Sequence, residues 1–258
     1  MAYFDLSGQT AIVTGASRGL GSYMAKALAR AGARLVITAR NADDCRTTIA
    51  DINELGGNAR GYSIDVTNEQ SIREFGKQIE ADYESIEILV NNAGCNIRKP
   101  FTDFTWQEWD RVVNTNLKGG FFVSQVVVPR MVERKYGRII NIGSVTTAFG
   151  MAGIVPYCAS RGGVGQMTKA LADELGPHGV TVNCLAPGWF RTEQNKVLYE
   201  NATWLEYITD RIPLKRPGRP DDLDGAVVFL SARESEYISG QTLFVDGGIT
   251  TGSTKATV

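Results

Sequence analysis

The 258-residue chain holds one histidine, four cysteines, no run of like charges and no long apolar run. Each shortage excludes something. No stretch approaches the roughly 20 apolar residues of a membrane span, so no membrane partner is expected. Cys45, Cys95, Cys158 and Cys184 lie far apart without C-x-x-C spacing. Metal or disulfide use needs closer pairs or a secreted context, so these read as small buried or half-buried thiols, and no metal site is expected. His178 stands in the turn Gly176-Pro177-His178-Gly179 and reads as structural. With 27 basic against 28 acidic side chains, no basic stripe marks a nucleic-acid surface. The residues Met1 to Asp5 show neither a basic n-region nor an apolar h-region. No signal peptide is expected there, and the compartment is expected to be cytoplasmic and reducing. An apolar share of 43% with 21% charged is an ordinary globular mixture, which excludes disorder.

What is there is a rhythm. Short β-branched runs at 11–14, 35–38, 59–64 and 86–90 alternate with helical patterns at 20–31, 42–55 and 69–83, the last with Thr67 and Asn68 as candidate N-caps. The second half continues it. Helix is expected over 106–114, carrying on with a bend through 123–135, then over 157–175 and 222–231. Strands are expected over 138–142, 180–184 and 241–245. Continuous apolar strands suit a sheet covered on both sides. The expectation is an α/β, Rossmann-type doubly wound fold: a seven-stranded, mostly parallel sheet with helices on both faces, as one domain over 1–258. Residues 189–218 break the rhythm, with several aromatics and with Pro213 and Pro217. Long excursions in such folds are usually functional loops over the carboxyl ends of the strands, so this one reads as a substrate lid.

The first strand runs into Thr14-Gly15-Ala16-Ser17-Arg18-Gly19-Leu20-Gly21. Residues without Cβ permit a tight turn and a close approach of backbone to a pyrophosphate, and the following helix turns its free N–H groups toward the phosphates. No Gly-Lys-Ser/Thr follows, so this is not a P-loop. A dinucleotide cofactor is expected. The second strand ends at Ala39-Arg40, where an NAD-preferring site usually places a carboxylate. Arg40, with Arg18 in the turn, suits a 2′-phosphate instead, which points to NADP(H).

With these pieces in place the chain resembles the short-chain dehydrogenase/reductase family over essentially its whole length. The resemblance rests on the glycine turn, Asp65-Val66, Asn91-Asn92-Ala93-Gly94, Asn116-Leu117-Lys118-Gly119, Ser144, Tyr157, Pro187-Gly188 with Thr192, and Phe244-Val245-Asp246-Gly247-Gly248. It implies a cofactor site formed by Gly15, Ser17, Arg18, Gly19, Leu20, Gly21, Arg40, Asp65, Val66, Asn91, Ala93, Gly94, Tyr157, Arg161, Pro187, Gly188, Phe190 and Thr192. It further implies hydride transfer between nicotinamide and a carbon bearing C=O or C–OH. Tyr157 would be the acid or base, Ser144 would hold the substrate oxygen, and Asn116 would hold a water in a proton relay. A homotetramer is also implied, with helices near 106–135 and 157–175 at one interface and the last strand at another.

One departure matters. The family pattern is Y-x-x-x-K, and here the sequence reads Tyr157-Cys158-Ala159-Ser160-Arg161. The spacing puts Arg161 one helical turn beyond Tyr157 on the same face, so the charge is kept. A free tyrosine ionises near pH 10. Lowering that by about three units takes roughly 4 kcal/mol, which a cation at about 4 Å supplies at an effective dielectric near 20. The planar fork differs in geometry, however, and does not readily release a proton. Three outcomes stay open: an active enzyme with an altered pH profile, a slow enzyme on an unusual substrate, or an NADP-binding protein with little catalysis.

For the substrate, Cys95-Asn96-Ile97-Arg98-Lys99-Pro100 and Pro187-Gly188-Trp189-Phe190-Arg191-Thr192 are similar to the family's gluconate 5-dehydrogenases and 2-dehydro-3-deoxy-D-gluconate 5-dehydrogenases. Arg98 would bind a sugar-acid carboxylate, and Trp189 would line the substrate site. The 3-oxoacyl-acyl-carrier-protein reductases share nearly every motif. Trp189, Phe190, Leu198, Tyr199 and Trp204 could also enclose a hydrophobic ketone. Sugar acids, acyl chains and cyclic ketones all stay open here. Residues 250–258 read as a flexible or partner-ordered tail.

Overall fold

Aliphatic and β-branched residues form seven strands: β1 Thr10–Val13, β2 Arg34–Ala39, β3 Asn58–Ser63, β4 Ile88–Asn91, β5 Gly137–Ile142, β6 Val180–Pro187 and β7 Thr242–Val245. The computed structural model describes residues 3–192 and 195–252. The strands make one sheet in the order β3-β2-β1-β4-β5-β6-β7, and all six pairings are parallel. Alternation along each strand feeds two cores. Ala11, Val13, Leu35, Ile37, Ile88, Val90, Ile140 and Ile142 point into one, while Ile12, Val36, Leu89 and Ile139 point into the other. This is the period of two expected of a strand, with both faces buried. Only the edges differ: β3 alternates exposed and covered residues, and β7 is half-buried throughout.

Helices cover both faces. They are α1 Gly19–Arg30, α2 Arg46–Glu54, α3 Glu69–Asp82, α4 Trp106–Val113, α5 Gly119–Arg134, α6 Val155–Leu175, α7 Lys196–Glu200, α8 Ala202–Arg211 and α9 Asp224–Ser231. Of the two candidate caps before α3, Asn68 does the capping, its side chain accepting from Ser71 N. The helix expected over 42–55 begins instead as a 3-10 turn at Ala42–Cys45, because the Asn41 side chain captures Asp43 N. The pattern at 222–231 likewise opens with the 3-10 turn Pro220–Leu223.

The expected bend between 114 and 123 is a π-helical turn, Asn114–Lys118, joining α4 to α5 without a break. Helix α6 starts at Val155, two residues earlier than expected, with Pro156 in its first turn. Tyr157 therefore sits inside the first turn rather than opening the helix. The 189–218 excursion contains two short helices, α7 and α8, and is closed at its base by a bridge between Phe190 and Gly218. Glu193 and Gln194, within that lid, lie outside the described residues. At the carboxyl end, Thr250 is not loose as expected: its N and Oγ1 both donate to Asp246 Oδ2, at 2.9 and 2.6 Å. The remainder of the expected tail, 253–258, lies outside the described residues. Among the described residues no helix is long and apolar enough to cross a membrane.

Candidate active site

The sheet order reverses direction between β1 and β4, which opens a crevice at their carboxyl ends, the place where doubly wound sheets bind ligands. Thr14 and Asn92 build its floor. Thr14 Oγ1 accepts from Asn92 N at 2.9 Å and from Ala93 N at 3.0 Å. Asn92 Nδ2 donates to Thr14 O at 2.8 Å and to Gly15 O at 3.1 Å. The glycine turn is thus pinned against the 91–94 loop, and a Cβ on Gly21 would collide with Asn92 Nδ2 and stand 2.6 Å from Gly15 O. Asn92 belongs to the 91–94 motif, which by resemblance stabilises the central sheet and lines the cofactor, but is not itself among the expected cofactor residues; here it fastens the glycine turn.

Helix α1 leaves this turn with no side-chain cap and no acid in its first turn. Its first N–H groups and positive dipole end therefore face the crevice unmatched, as a pyrophosphate requires. Arg18 and Arg40 are both exposed, and neither forms an ion pair among the described residues. Asp65 is engaged locally: its Oδ1 accepts from Thr67 N at 2.9 Å and from Thr67 Oγ1 at 2.7 Å. Val66 packs beneath Gly119. These cradle, dipole and cation features fit a phosphorylated dinucleotide.

Some expected cofactor residues act on the framework. Asn91 is buried, and its Nδ2 donates to Ser124 Oγ and Asn141 Oδ1, both at 2.9 Å, tying β4 to α5 and β5. Phe190 is buried in the core with Gly218 against its ring, so its side chain packs under the lid. Thr192 is held by Asn195, whose Oδ1 accepts from Thr192 N at 2.7 Å and from Thr192 Oγ1 at 3.0 Å while its Nδ2 donates to Phe190 O at 2.7 Å. Nothing in the local sequence pattern singled Asn195 out. Pro187 ends β6, and Gly188 N just beyond it donates to Val245 O at 2.9 Å.

The residues expected to be catalytic lie past β5 and in the first turns of α6. Ser144 follows that strand and is buried; its Oγ accepts from Thr146 N at 3.2 Å, leaving its own proton free to donate. Tyr157 is half-buried. Thr147 Oγ1 accepts from Ser144 N and donates to Arg161 O, each at 3.2 Å, so one hydroxyl ties the serine's strand end to α6.

Arg161 is only 6% exposed and has no carboxylate partner among the described residues. Its Nη1 donates to Ile142 O at 2.6 Å, and its guanidinium carbon lies 5.1 Å from the centre of the Tyr157 ring. Its Nε is buried without a partner among the described residues. A Cβ on Gly94 would stand 2.5 Å from Arg161 Nη2. The cation's field reaches Cys184, whose thiol burial pushes up to about 11 while Arg161 pulls in the opposite direction.

Asn116, buried in the π turn, is more fully engaged than a water-holding role anticipates. Its Nδ2 donates to Cys95 O and to Ser160 Oγ, both at 3.0 Å, and its Oδ1 accepts from Cys95 N at 2.8 Å. Ser160 Oγ in turn donates to Tyr157 O at 2.8 Å. Both amide hydrogens are therefore spent on protein partners, leaving one Oδ1 lone pair to receive a water.

The two cations of the Arg98-Lys99 pair have separate fates. Lys99 Nζ pairs with Glu108 Oε2 at 2.5 Å, and Lys99 N donates to Gly153 O at 3.0 Å. Arg98 is exposed and passes alongside Gly153, in the loop that leads into α6. In the 189–218 excursion, Trp189 and Tyr199 each pack edge-on against Trp204, with ring centres 5.3 and 5.2 Å apart.

The family model described as enoyl-(acyl carrier protein) reductase matches residues 15–250. The chain belongs to the short-chain dehydrogenase/reductase family. It is an oxidoreductase of that family. It is 42% identical to gluconate 5-dehydrogenase of Gluconobacter oxydans (strain 621H), over 96% of both chains. It is 39% identical to 5-keto-D-gluconate 5-reductase of Escherichia coli (strain K12), over 95% of this chain and 97% of that one. A 3-oxoacyl-[acyl-carrier-protein] reductase of Vibrio cholerae is 38% identical over 95% of this chain and 98% of that one. The crystal structure of a gluconate 5-dehydrogenase from Burkholderia cenocepacia J2315 in complex with NADP and tartrate superposes with a TM-score of 0.93 at 38% identity, over 97% of this chain and 98% of that one.

Proposed function

We propose that the chain is an NADP(H)-dependent dehydrogenase/reductase that interconverts a secondary alcohol and a ketone on a sugar acid. One observation carries the substrate class. Beside the loop that leads to Tyr157, Lys99 is consumed by Glu108 while Arg98 stays exposed and unpaired among the described residues. A free guanidinium at the cleft mouth is the natural partner of a carboxylate carried on the same molecule as the reacting carbonyl. The relatives named for gluconate and 5-keto-D-gluconate support this reading.

Arg18, Arg40 and the uncapped end of α1 would hold the cofactor's phosphates, with Gly15, Gly19 and Gly21 admitting its backbone-close approach. Bound there, the nicotinamide supplies or accepts the hydride. In reduction, the Tyr157 hydroxyl gives its proton to the carbonyl oxygen, which Ser144 Oγ–H holds. In oxidation, Tyr157 takes the alcohol proton. Arg161, fixed by Ile142 O over the Tyr157 ring, stabilises the negative charge that the Tyr157 oxygen carries after giving its proton in reduction and before taking one in oxidation. Asn116, through Ser160, holds the first turn of α6 at its place.

Residues 1–258 would act as one dinucleotide-binding and catalytic domain in the cytoplasm. A homotetramer is consistent with Phe101 and Trp106, which are 74% and 82% exposed at the start of the α4 region, and with the half-covered edge strand β7.

Steady-state kinetics with 5-keto-D-gluconate plus NADPH against an acetoacetyl thioester plus NADPH test the reading. Saturation by the sugar acid is expected. Saturation by the thioester alone would overturn it in favour of the acyl reductase reading. Tight NADP binding without turnover of any carbonyl would leave a binding protein.

A further inference from the structure

The lid carries two buried polar atoms that no protein group satisfies. Tyr199, on α7, is 7% exposed, and its hydroxyl is buried without a partner among the described residues. Trp189, just past the end of β6, buries its indole Nε1–H in the same condition. Both rings pack against Trp204, so the two orphans belong to one aromatic cluster. The cluster rises from the same edge of the sheet as the expected catalytic serine: β5, which Ser144 follows, and β6, beyond whose end Trp189 lies, are parallel neighbours.

Buried donors are almost always paired, and those that are not call for a physical reason. A single trapped water would find only these two atoms in the ring cluster, the fewest partners a buried water keeps. Simple packing is poorer still. Phe in place of Tyr199 would fill the same volume without the cost of an unmet hydroxyl. An aromatic wall whose polar atoms are held away from solvent and from the protein is organised to meet a polar ligand that enters beneath it.

We propose that Tyr199 Oη–H and Trp189 Nε1–H donate to the hydroxyl oxygens of the substrate chain, and so select a polyhydroxylated acid over a plain keto acid. This rests on the sugar-acid reading above. Burial pushes the Tyr199 hydroxyl up to about 12, with Arg191 pulling part of the way back, so it stays a donor throughout the neutral range. The division of labour is then spatial. Ser144 and Tyr157 take the reacting oxygen, Arg98 takes the carboxylate, and the lid reads the hydroxyls between and beyond them.

The test compares two six-carbon acids, 5-keto-D-gluconate and 5-oxohexanoate, which share the carboxylate and the C5 carbonyl but differ in hydroxyls. For Tyr199→Phe the ratio of kcat/KM between the first and the second is expected to fall about tenfold, the loss of one hydrogen bond to a substrate. Trp189→Phe should shift that ratio in the same direction. The melting temperature of cofactor-free Tyr199→Phe is expected to hold or rise, since an unmet hydroxyl is removed. An unchanged ratio in both variants, with wild-type turnover of 5-keto-D-gluconate intact, would overturn the proposal and leave the sugar-acid reading standing. So would a drop in melting temperature with an unchanged ratio, the signature of a structural hydroxyl. Failure of the wild type to turn over 5-keto-D-gluconate would instead sink the sugar-acid reading and this proposal with it.

Discussion

The Arg161 guanidinium lies 5.1 Å from the centre of the Tyr157 ring, one helical turn away, and is held there by the carbonyl of Ile142. A buried cation over an aromatic face, with no carboxylate to neutralise it among the described residues, projects its field onto that ring and its hydroxyl. Where the family pattern has lysine, this chain has a cation anchored to a main-chain carbonyl.

The first prediction concerns that charge. Arg161→Met is expected to lower kcat for alcohol oxidation at neutral pH by about 10- to 100-fold, the worth of one close cation. Arg161→Lys should keep or raise the rate. Steady-state oxidation rates of the three proteins at neutral pH decide it, and equal rates for all three would remove Arg161 from the mechanism.

Gly94 and Arg161 should be energetically coupled. A Cβ at Gly94 would stand 2.5 Å from Arg161 Nη2, too close for the guanidinium to stay. Gly94→Ala is expected to cost tenfold or more in kcat/KM with Arg161 present and markedly less with Arg161→Lys, whose thinner end can move aside. A double-mutant cycle should give a coupling of about 1 kcal/mol or more, as for residues in direct contact.

Cofactor choice should reside in Arg18 and Arg40. Arg40→Ala is expected to raise KM for NADPH by about 10- to 100-fold, the loss of a charge-assisted hydrogen bond, and to leave KM for NADH within about threefold. Equal losses with both cofactors would place Arg40 outside the 2′-phosphate site.

The base of the lid should be acid-sensitive. Hydrogen bonds from Arg216 hold the Asp222 carboxyl at about 2, below its ordinary 3.8. A depressed folded-state value means stability that is complete above 3.8 and is lost as pH falls toward about 2. Asp222→Asn should therefore lower stability at pH 6, and its deficit against wild type should narrow by pH 3. Urea titrations at the two pH values measure this; a deficit independent of pH would mean that packing, not charge, is at stake.

Much of this molecule was legible in the sequence because strands and helices advertise themselves by period. Ile12 and Val13 point to opposite cores, as strict alternation in a doubly covered sheet requires. The glycine turn was legible for a related reason, since positions such as Gly21 admit no side chain. The π turn at Asn114–Lys118 was readable only as an unspecified bend, because a single widened turn leaves no period of its own. The lid helices were hidden by prolines and by aromatics that pack on one another rather than on the sheet. The contribution of Asn195 depends on a turn that brings it back onto Thr192, and the engagement of Asn116 by Cys95 depends on a loop three elements away in contact rather than in order. Contacts of that kind are made by tertiary closure and have no local signature.

The bare amino end of α1 has a consequence for the stability of the protein. A helix with no side-chain cap and no acid in its first turn is finished by its ligand, so phosphate binding also completes the fold. By mass action, free dinucleotide at a hundred times its dissociation constant would add about 2.7 kcal/mol to the stability of the native state. The chain without dinucleotide would then be the less stable form, the one to melt first on heating.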